Sequence, residues 1–255
     1  MDSFKLKKVQ YSTILGAGHG IGLALVKTIL TKSPKSHVFA SYREKNHAQS
    51  LLEIKKIYPK RITLACVNPT KEASLESFYQ VVASKASQMD LMINSVGVLN
   101  DLVCQPEKNL SKISIEALTH SFVVNSAVTP LFAKVFLPLI RKSPLSLFSS
   151  ISAKVGSIED NCLGGWYGYR ASKAALNMFI KNISIEFSNR SIPCIALSIH
   201  PGTTETALSK PYIKKSKLKI HSTSETASNI FAVFEGKTLY NSGKFLSWDG
   251  TEIPW

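Results

Sequence analysis

The pair of side chains best suited to acid–base chemistry is Tyr169 and Lys173, which lie four residues apart at the start of a helical pattern. That spacing places both side chains on one face of a helix. A phenol titrates at about pH 10, so it exchanges protons poorly at neutral pH unless a nearby ammonium lowers its pKa. The pair is therefore a candidate general acid/base with its tuning cation. A solvated lysine over a half-buried ring is the alternative.

A hydroxyl that could polarise a substrate carbonyl precedes this pair. Ser152 follows the strand-like apolar run 145–151, and glycines at 164, 165 and 168 permit a close approach of the chain before Tyr169. A serine at a strand end, a phenol and an ammonium together could orient a carbonyl and exchange a proton with it.

A phosphate-binding turn is predicted near the N-terminus. The β-branched-rich segment 9–15 leads into a glycine-rich loop, and a helical apolar pattern follows from Leu23. Glycines let the backbone approach a pyrophosphate closely, and the free N–H groups at the start of the helix face it. A flexible turn is the alternative, but the position between strand and helix favours the phosphate site. The predicted dinucleotide-binding residues are Gly16, His19, Gly20, Ile21 and Gly22.

The end of the second predicted strand decides the cofactor type. A carboxylate there would bind a ribose 2′-hydroxyl, whereas an arginine would bind a 2′-phosphate. The strand 37–41 is followed by Tyr42 and Arg43, and His19 lies in the glycine loop. We therefore predict that NADP(H) is preferred over NAD(H). An ordinary surface arginine beside Glu44 is the alternative.

Three stretches together resemble the short-chain dehydrogenase/reductase family, and most closely its C-factor-like branch. They are residues 152–173, the GxxxGxG spacing at 16–22 and the sequence WDGTEIPW at 248–255, so the resemblance spans essentially the whole chain. It implies an oxidoreductase that interconverts a carbonyl and an alcohol by hydride transfer with NADP(H). The catalytic residues that it implies are Tyr169 as general acid/base, Lys173, Ser152 and Asn125, the last holding a proton-relay water.

The resemblance also implies further cofactor contacts. Asn68 stands where the family has an aspartate that binds the adenine amino group, and an amide oxygen can accept the same hydrogen bond. A routine Asn-Pro turn is the alternative. Asn94 and Gly97, in the sequence NSVG, resemble the family's NNAG motif. The residues expected beside the nicotinamide belong to the PGxxxT pattern and are Pro201, Gly202, Thr203 and Thr206.

Two positions depart from the family pattern. Ala153 stands where the family's catalytic serine is usual, so Ser152 is the first choice for that role and Ser157 is the reserve. Leu15 replaces the threonine that usually precedes the first glycine, which removes one local hydrogen bond and leaves the phosphate turn in place.

The fold predicted from alternating strand and helix patterns is α/β, a doubly wound Rossmann-type parallel sheet flanked by helices. Residues 1–255 are predicted to form one such domain. The four cysteines are scattered without CxxC spacing, which argues against structural zinc and disulfides, so no metal is expected. No apolar run is expected to span a bilayer, and a cytoplasmic location fits.

The net charge of +14 would attract phosphates of a cofactor, a nucleic acid or acidic lipids. The densest basic segment, 210–219, lacks a nucleic-acid-binding motif, so a solvated face is favoured over specific nucleic-acid binding. The expected partners are a small carbonyl or alcohol substrate and, by family resemblance, a second copy of the chain in a dimer or tetramer. A C-factor-like signalling or nucleotide-sensing protein with little turnover is the alternative function, and Ala153 favours it.

Overall fold

The computed structural model describes residues 2–213 and 219–255, and within these ranges the main sheet has seven parallel strands. Its spatial order is β3-β2-β1-β4-β5-β6-β9. The strands of this sheet are β1 Tyr11–Leu15, β2 His37–Tyr42, β3 Ile62–Cys66, β4 Leu91–Asn94, β5 Ser146–Ile151, β6 Cys194–His200 and β9 Lys244–Ser247. A second, small sheet pairs β7 Thr203–Thr204 with β8 Ile220–His221.

Helices connect the strands and cover both faces of the sheet. They are α1 Gly20–Lys32, α2 Gln49–Ile57, α3 Glu72–Ala83, α4 Ile115–Phe122, α5 Val128–Ile140, α6 Tyr167–Asn189, α7 Lys210–Ile213 and α8 Thr223–Phe234. One apolar cluster lies between the sheet and α1, α2 and α8, and another lies between the sheet and α3, α5 and α6. Residues of β4 and β5 are buried throughout, as expected for parallel strands covered on both faces. The predicted doubly wound fold is confirmed.

The strand order fixes the position of the site. The chain begins in the middle of the sheet, adds β2 and β3 on one side and then crosses to β4 on the other side of β1. The connections after β1 and β4 therefore leave the sheet in opposite directions and open a crevice at the carboxyl ends of these strands. Ligands of doubly wound sheets bind at this switch point.

One apolar stretch bears on the expectation that the chain has no membrane span. Among the described residues, Ile115–Ile140 meets the length and composition test, with a mean hydropathy of 1.7. This stretch contains α4, a π-helical turn at Val123–Ala127 and α5. Because 56% of the most apolar 18-residue window is buried and α5 packs on the sheet, the stretch is only weak evidence for a membrane span, and a core helix of the domain accounts for its apolar character.

The basic segment 210–219 is only partly described. Lys210 begins α7, and the Lys219 ammonium lies 5.6 Å from the centre of the Trp248 ring. The other lysines of this segment lie outside the described residues and are Lys214, Lys215 and Lys217. The prediction of a solvated lid face there stays a prediction.

Candidate functional site

The lysine of the predicted acid–base pair is held at the carboxyl edge of the sheet. Lys173 is only 3% exposed, and its Nζ donates a hydrogen bond of 2.8 Å to the carbonyl of Ile151, the last residue of β5. A side-chain carbon placed on Gly97 would lie 3.6 Å from Lys173 Nζ and 3.3 Å from Asn125 Oδ1. The ammonium and the Asn125 amide therefore converge on one point of the crevice, and Gly97 leaves that point free of side chain.

The Tyr169 ring lies beside this point. Lys173 Nζ is 5.8 Å from the centre of the ring, and the Trp166 ring packs edge-on at 6.1 Å between centres. Burial raises the pKa of Tyr169 to about 12 and lowers the pKa of Lys173 to about 7. Burial of the phenol is the cause of the raised pKa in the protein alone, and the expected lowering of the tyrosine pKa by Lys173 stays a prediction.

Asn125 lies in the π-helical turn between α4 and α5 and is fully buried. Its Oδ1 accepts a 2.7 Å hydrogen bond from Val98 N, and its Nδ2 donates to Val98 O at 2.9 Å. Nδ2 also donates to Ser172 Oγ at 3.0 Å. The amide thus fastens the loop after β4 to α6. The site-building asparagine interrupts the regular helix, as π turns at functional sites commonly do.

The serine candidates both have partners inside the protein. Ser152 is buried, and its Oγ donates a 2.7 Å hydrogen bond to Asn177 Oδ1 on α6. Ser157 Oγ accepts from Asp160 N at 3.1 Å and lies 3.4 Å from Trp255 O. For Ser152 to act in catalysis, its hydroxyl must give up the hydrogen bond to Asn177 Oδ1. The assignment of the catalytic serine role to Ser152, with Ser157 in reserve, stays a prediction.

Sequence reasoning missed the residue that positions the start of α6. The backbone enters this helix through left-handed conformations at Gly164, Gly165 and Trp166, with φ values of 62°, 63° and 52°. Such a conformation is strained for tryptophan. Glu107, 5% exposed, stabilises the turn: its carbonyl accepts from Trp166 N at 2.6 Å and its carboxylate accepts from Gly168 N at 3.1 Å. A carboxylate at a helix N-terminus is also favoured by the helix dipole.

Replacing Glu107 by alanine is expected to lower the free energy of unfolding by about 1–3 kcal/mol, because the buried Gly168 N–H then loses its acceptor. Turnover should fall with it, since Tyr169 lies one residue further along α6. Urea unfolding and a steady-state assay of the same preparation measure both effects. Glu76→Ala, at an exposed position of α3, is the control. Native stability and turnover in Glu107→Ala would contradict the positioning role.

The predicted phosphate turn has the geometry that a dinucleotide requires. Gly16 and Gly20 have positive φ values of 82° and 58°, and α1 begins at Gly20, so its first N–H groups open into the turn. A side-chain carbon on Gly22 would lie 2.3 Å from Gly16 O, which shows that glycine is required there. Ser95 Oγ donates to Leu15 O at 2.8 Å and fixes the turn to the loop after β4.

The PGxxxT segment lies opposite the glycine turn. A side-chain carbon on Gly20 would be 3.6 Å from the Thr206 methyl group, so the two segments lie side by side at the start of α1. Pro201 is buried, and Gly202 has a φ of 77° in close contact with the Trp248 ring. Thr203, in β7, is half-buried at the same edge. The residues present therefore fit a nicotinamide dinucleotide at this edge of the sheet.

Basic side chains surround the far end of the crevice. The pKa of His19 is lowered by burial and then by the nearby His47 and Arg43. The His19 and His47 ring centres lie 6.4 Å apart. Arg43 is exposed, and its Nη2 lies 2.9 Å from Glu44 Oε1. Arg43 must give up part of this surface ion pair to bind a phosphate, which is a small cost for an exposed pair.

The two remaining asparagines differ in their surroundings. Asn94 is buried at the end of β4, where its Oδ1 accepts from Val96 N at 3.0 Å and its Nδ2 donates to Thr129 Oγ1 at 3.1 Å. It therefore supports the sheet edge, and its cofactor contact stays a prediction. Asn68 is exposed, and its Oδ1 accepts hydrogen bonds from Thr70 N and Oγ1 at 3.2 and 2.8 Å. These bonds form the local turn that was the alternative for Asn68, and its adenine contact stays a prediction.

Known proteins resemble this chain over most of its length. The short chain dehydrogenase family pattern matches residues 10–217. An uncharacterized oxidoreductase of Schizosaccharomyces pombe is 29% identical, over 94% of this chain and 96% of its own. The C-signal of Myxococcus xanthus is 27% identical, over 66% of this chain and 93% of its own. The NADPH-bound carbonyl reductase from chicken fatty liver superimposes with a TM-score of 0.86 at 26% identity, covering 97% of this chain and 99% of that one. With its site geometry and fold, the chain belongs to the short chain dehydrogenase family and is an oxidoreductase that acts on alcohol or carbonyl groups.

Proposed function

We propose that the protein is a carbonyl reductase that uses NADP(H), with Tyr169 as general acid/base and Lys173, Asn125 and Ser152 as its partners. The observation that carries the proposal is the convergence of Lys173 Nζ and the Asn125 amide beside Tyr169, at the sheet edge that also holds the glycine turn. This arrangement brings a proton donor, a buried cation and a dinucleotide cradle to one crevice.

In this proposal NADP(H) supplies the hydride, and the side chains handle the proton. Tyr169 donates the proton to the oxygen of the reduced carbonyl. Lys173 would hold the cofactor ribose and replace the proton of the tyrosine, aided by water at Asn125. With a pKa of about 12, Tyr169 is protonated throughout the neutral range. It can therefore act as the proton donor when a carbonyl is reduced.

The test is an NADPH-oxidation assay over aldehydes, ketones and diketones, with the Tyr169→Phe variant assayed in parallel. We expect turnover on at least one carbonyl and its loss in the variant. Absence of turnover on the whole panel, despite NADPH binding, would contradict the enzyme proposal. A homo-oligomer is part of the same proposal, and size-exclusion chromatography with light scattering measures it.

The cofactor preference gives a further prediction. NADPH is expected to bind at least tenfold more tightly than NADH, because a charge-assisted hydrogen bond from Arg43 to the 2′-phosphate contributes about 1.5–3 kcal/mol, reduced by its exposure. Arg43→Ala should remove most of the difference and leave NADH affinity unchanged. Titration of tryptophan fluorescence measures the affinities. Arg190→Ala, at an exposed site after α6, is the control. Equal affinities in the native protein would refute the assignment.

The serine role is tested by comparing two variants. Ser152→Ala is expected to lower turnover more than Ser157→Ala, with NADPH affinity retained in both, because an oriented hydroxyl acts on the carbonyl. Ser152→Ala also leaves Asn177 Oδ1 without its donor, so urea unfolding must accompany the assay. A loss of stability with native turnover would assign Ser152 a structural part only. Greater damage in Ser157→Ala would move the role to that residue.

A signalling or nucleotide-sensing protein is the second candidate. Two observations favour it: Ala153 stands where the family has its catalytic serine, and the C-signal is a relative of the chain. This candidate requires only the cradle at Gly16–Gly22 and needs no proton donor. It predicts tight NADPH binding that is the same in the native protein and in Tyr169→Phe, with no turnover in either.

A further inference from the structure

Three metal-ligating side chains meet away from Tyr169, between the loop that follows β4 and helix α4. They are Asp101, Cys104 and His120, and one ligand atom from each lies within 4.8 Å of the other two. The closest approach is 2.7 Å, between His120 Nε2 and Asp101 Oδ2. Neither the cofactor crevice nor the proposed proton transfer uses these groups.

The loop holds the Asp101 carboxylate in a fixed orientation. Its Oδ1 accepts hydrogen bonds from Val103 N at 2.8 Å and from Cys104 N at 2.9 Å. Asp101 N in turn donates to Cys104 O at 2.9 Å. With Oδ1 occupied by the backbone, Oδ2 is the oxygen that faces His120. The same tight turn brings the side chain of Cys104, which is 3% exposed, to the inner side of the loop.

The third ligand comes from a regular helix. His120 lies in α4 and is partly exposed, so the cluster is buried on the thiol side and open on the imidazole side. An ion could enter from solvent and keep one water as a further ligand. The loop supplies two ligands and the helix one, so a bound ion would fasten the loop to α4.

The ligand set selects the kind of ion. Thiolate, imidazole and carboxylate are ligands of Zn²⁺, at about 2.3, 2.0–2.1 and 2.0–2.2 Å respectively. A tetrahedral ion with such bonds holds its ligand atoms about 3.3–3.8 Å apart, so small side-chain rotations close the cluster around it. Mg²⁺ and Ca²⁺ prefer oxygen ligands and are disfavoured by the sulfur and nitrogen.

We propose that Asp101, Cys104 and His120 bind one Zn²⁺, with water as the fourth ligand. On binding, the Cys104 S–H bond breaks, its proton passes to solvent and a Zn–S bond forms, with no change of oxidation state. The ion replaces the hydrogen bond between His120 and Asp101. The absence of CxxC spacing argued against zinc, but these ligands come from a loop and a helix that only the folded chain brings together.

The site would stabilise the wall of the crevice. Asn100 precedes Asp101, and its side chain interacts with the Tyr212 hydroxyl of α7. Tyr212 also packs edge-on against Trp166, with 5.2 Å between the ring centres. A zinc-fastened loop would therefore support the aromatic side chains that lie beside Tyr169.

The test adds Zn²⁺ or Co²⁺ to the full-length protein after removal of metals with a chelator. We expect one equivalent of either ion to bind, Co²⁺ to give a thiolate-to-cobalt charge-transfer band, and Zn²⁺ to raise the melting temperature. Cys104→Ser should abolish the band, and His120→Gln, at a partly exposed position, should weaken binding at least tenfold. Asp101→Asn should weaken binding as well.

The chain provides matched controls. Cys66→Ser and Cys162→Ser change exposed thiols, so both should bind the ions as the native protein does. NADPH affinity should be unchanged in every variant, which separates this proposal from the proposed function. No uptake by the native protein, or uptake and a cobalt band that survive in Cys104→Ser, would overturn the zinc site.

Discussion

Replacing Tyr169 by phenylalanine is expected to lower turnover about 10²–10⁴-fold while NADPH still binds, which is the usual contribution of a positioned proton donor. The substitution removes one oxygen and almost no volume, so the packing of the ring against Trp166 should persist. The loss should appear in kcat and in kcat/KM alike, because the hydroxyl acts in the transition state. Steady-state NADPH oxidation and fluorescence titration measure the two properties.

The matched control for this variant is Tyr167→Phe. Tyr167 is also half-buried and lies in the same helical turn, so it tests whether any lost hydroxyl at the start of α6 disturbs the site. We expect near-native turnover in the control. Near-native turnover in Tyr169→Phe would end the general-acid assignment, whereas a large loss in both variants would point to a disturbed helix start.

The features that the sequence predicted well are local in the chain. A strand, a glycine turn and a helix follow one another within residues 9–32, so hydrophobic periodicity and glycine spacing were enough to locate the phosphate-binding turn. The parallel sheet was predicted because strand and helix patterns alternate along the chain. Tyr169 and Lys173 could be placed on one helix face because their separation is one helical turn.

The features that the sequence could not predict depend on contacts between distant parts of the chain. Glu107 stabilises the start of α6 across 61 residues of sequence, and Ser152 meets Asn177 across 25. No spacing rule relates such pairs. The apolar stretch at Ile115–Ile140 is another such feature, because polar residues divide it into shorter runs in the sequence and the helices join these runs.

The net shift of the Tyr169 pKa could not be predicted from the sequence for a related reason. Spacing on a helix places a cation near the phenol, but the net effect depends on how much water the fold removes from both groups. Here burial dominates, raising the pKa of Tyr169 to about 12 and lowering that of Lys173 to about 7. The lysine is therefore the group whose ionisation changes within the neutral range.

Burial of Lys173 should make stability depend on pH in a defined direction. Its pKa is about 7 in the folded protein against 10.5 for an ordinary lysine. Between these values the unfolded chain binds a proton that the folded chain does not, so the free energy of unfolding rises with pH. Below pH 7 both states are protonated and the full cost of burying the charge remains. One pKa unit corresponds to about 1.4 kcal/mol, so the difference between the two pKa values changes the free energy of unfolding by about 4–5 kcal/mol.

Lys173→Met is expected to remove this dependence. The methionine keeps most of the volume and carries no charge. The free energy of unfolding of the variant should therefore exceed that of the native protein by the largest amount at about pH 6. This excess should shrink by about 4 kcal/mol by about pH 10. The hydrogen bond to Ile151 O is stronger from the ammonium than from the amine, and the folded-state pKa already contains this difference, so the bond adds no separate pH dependence. The contribution of Tyr169 to the pH dependence is present in both proteins and cancels in their difference.

Urea unfolding at steps between pH 6 and pH 10 measures the difference. Lys181→Met, at an exposed position of the same helix, should follow the native curve throughout. A constant difference between native and Lys173→Met across this range would mean that the lysine keeps its proton in the folded protein. In that case the ammonium would be available to Tyr169 at every neutral pH, and the lowering of the phenol pKa expected from their spacing would be restored. A difference that shrinks as pH rises would instead leave Tyr169 a protonated donor beside a lysine that has lost part of its charge.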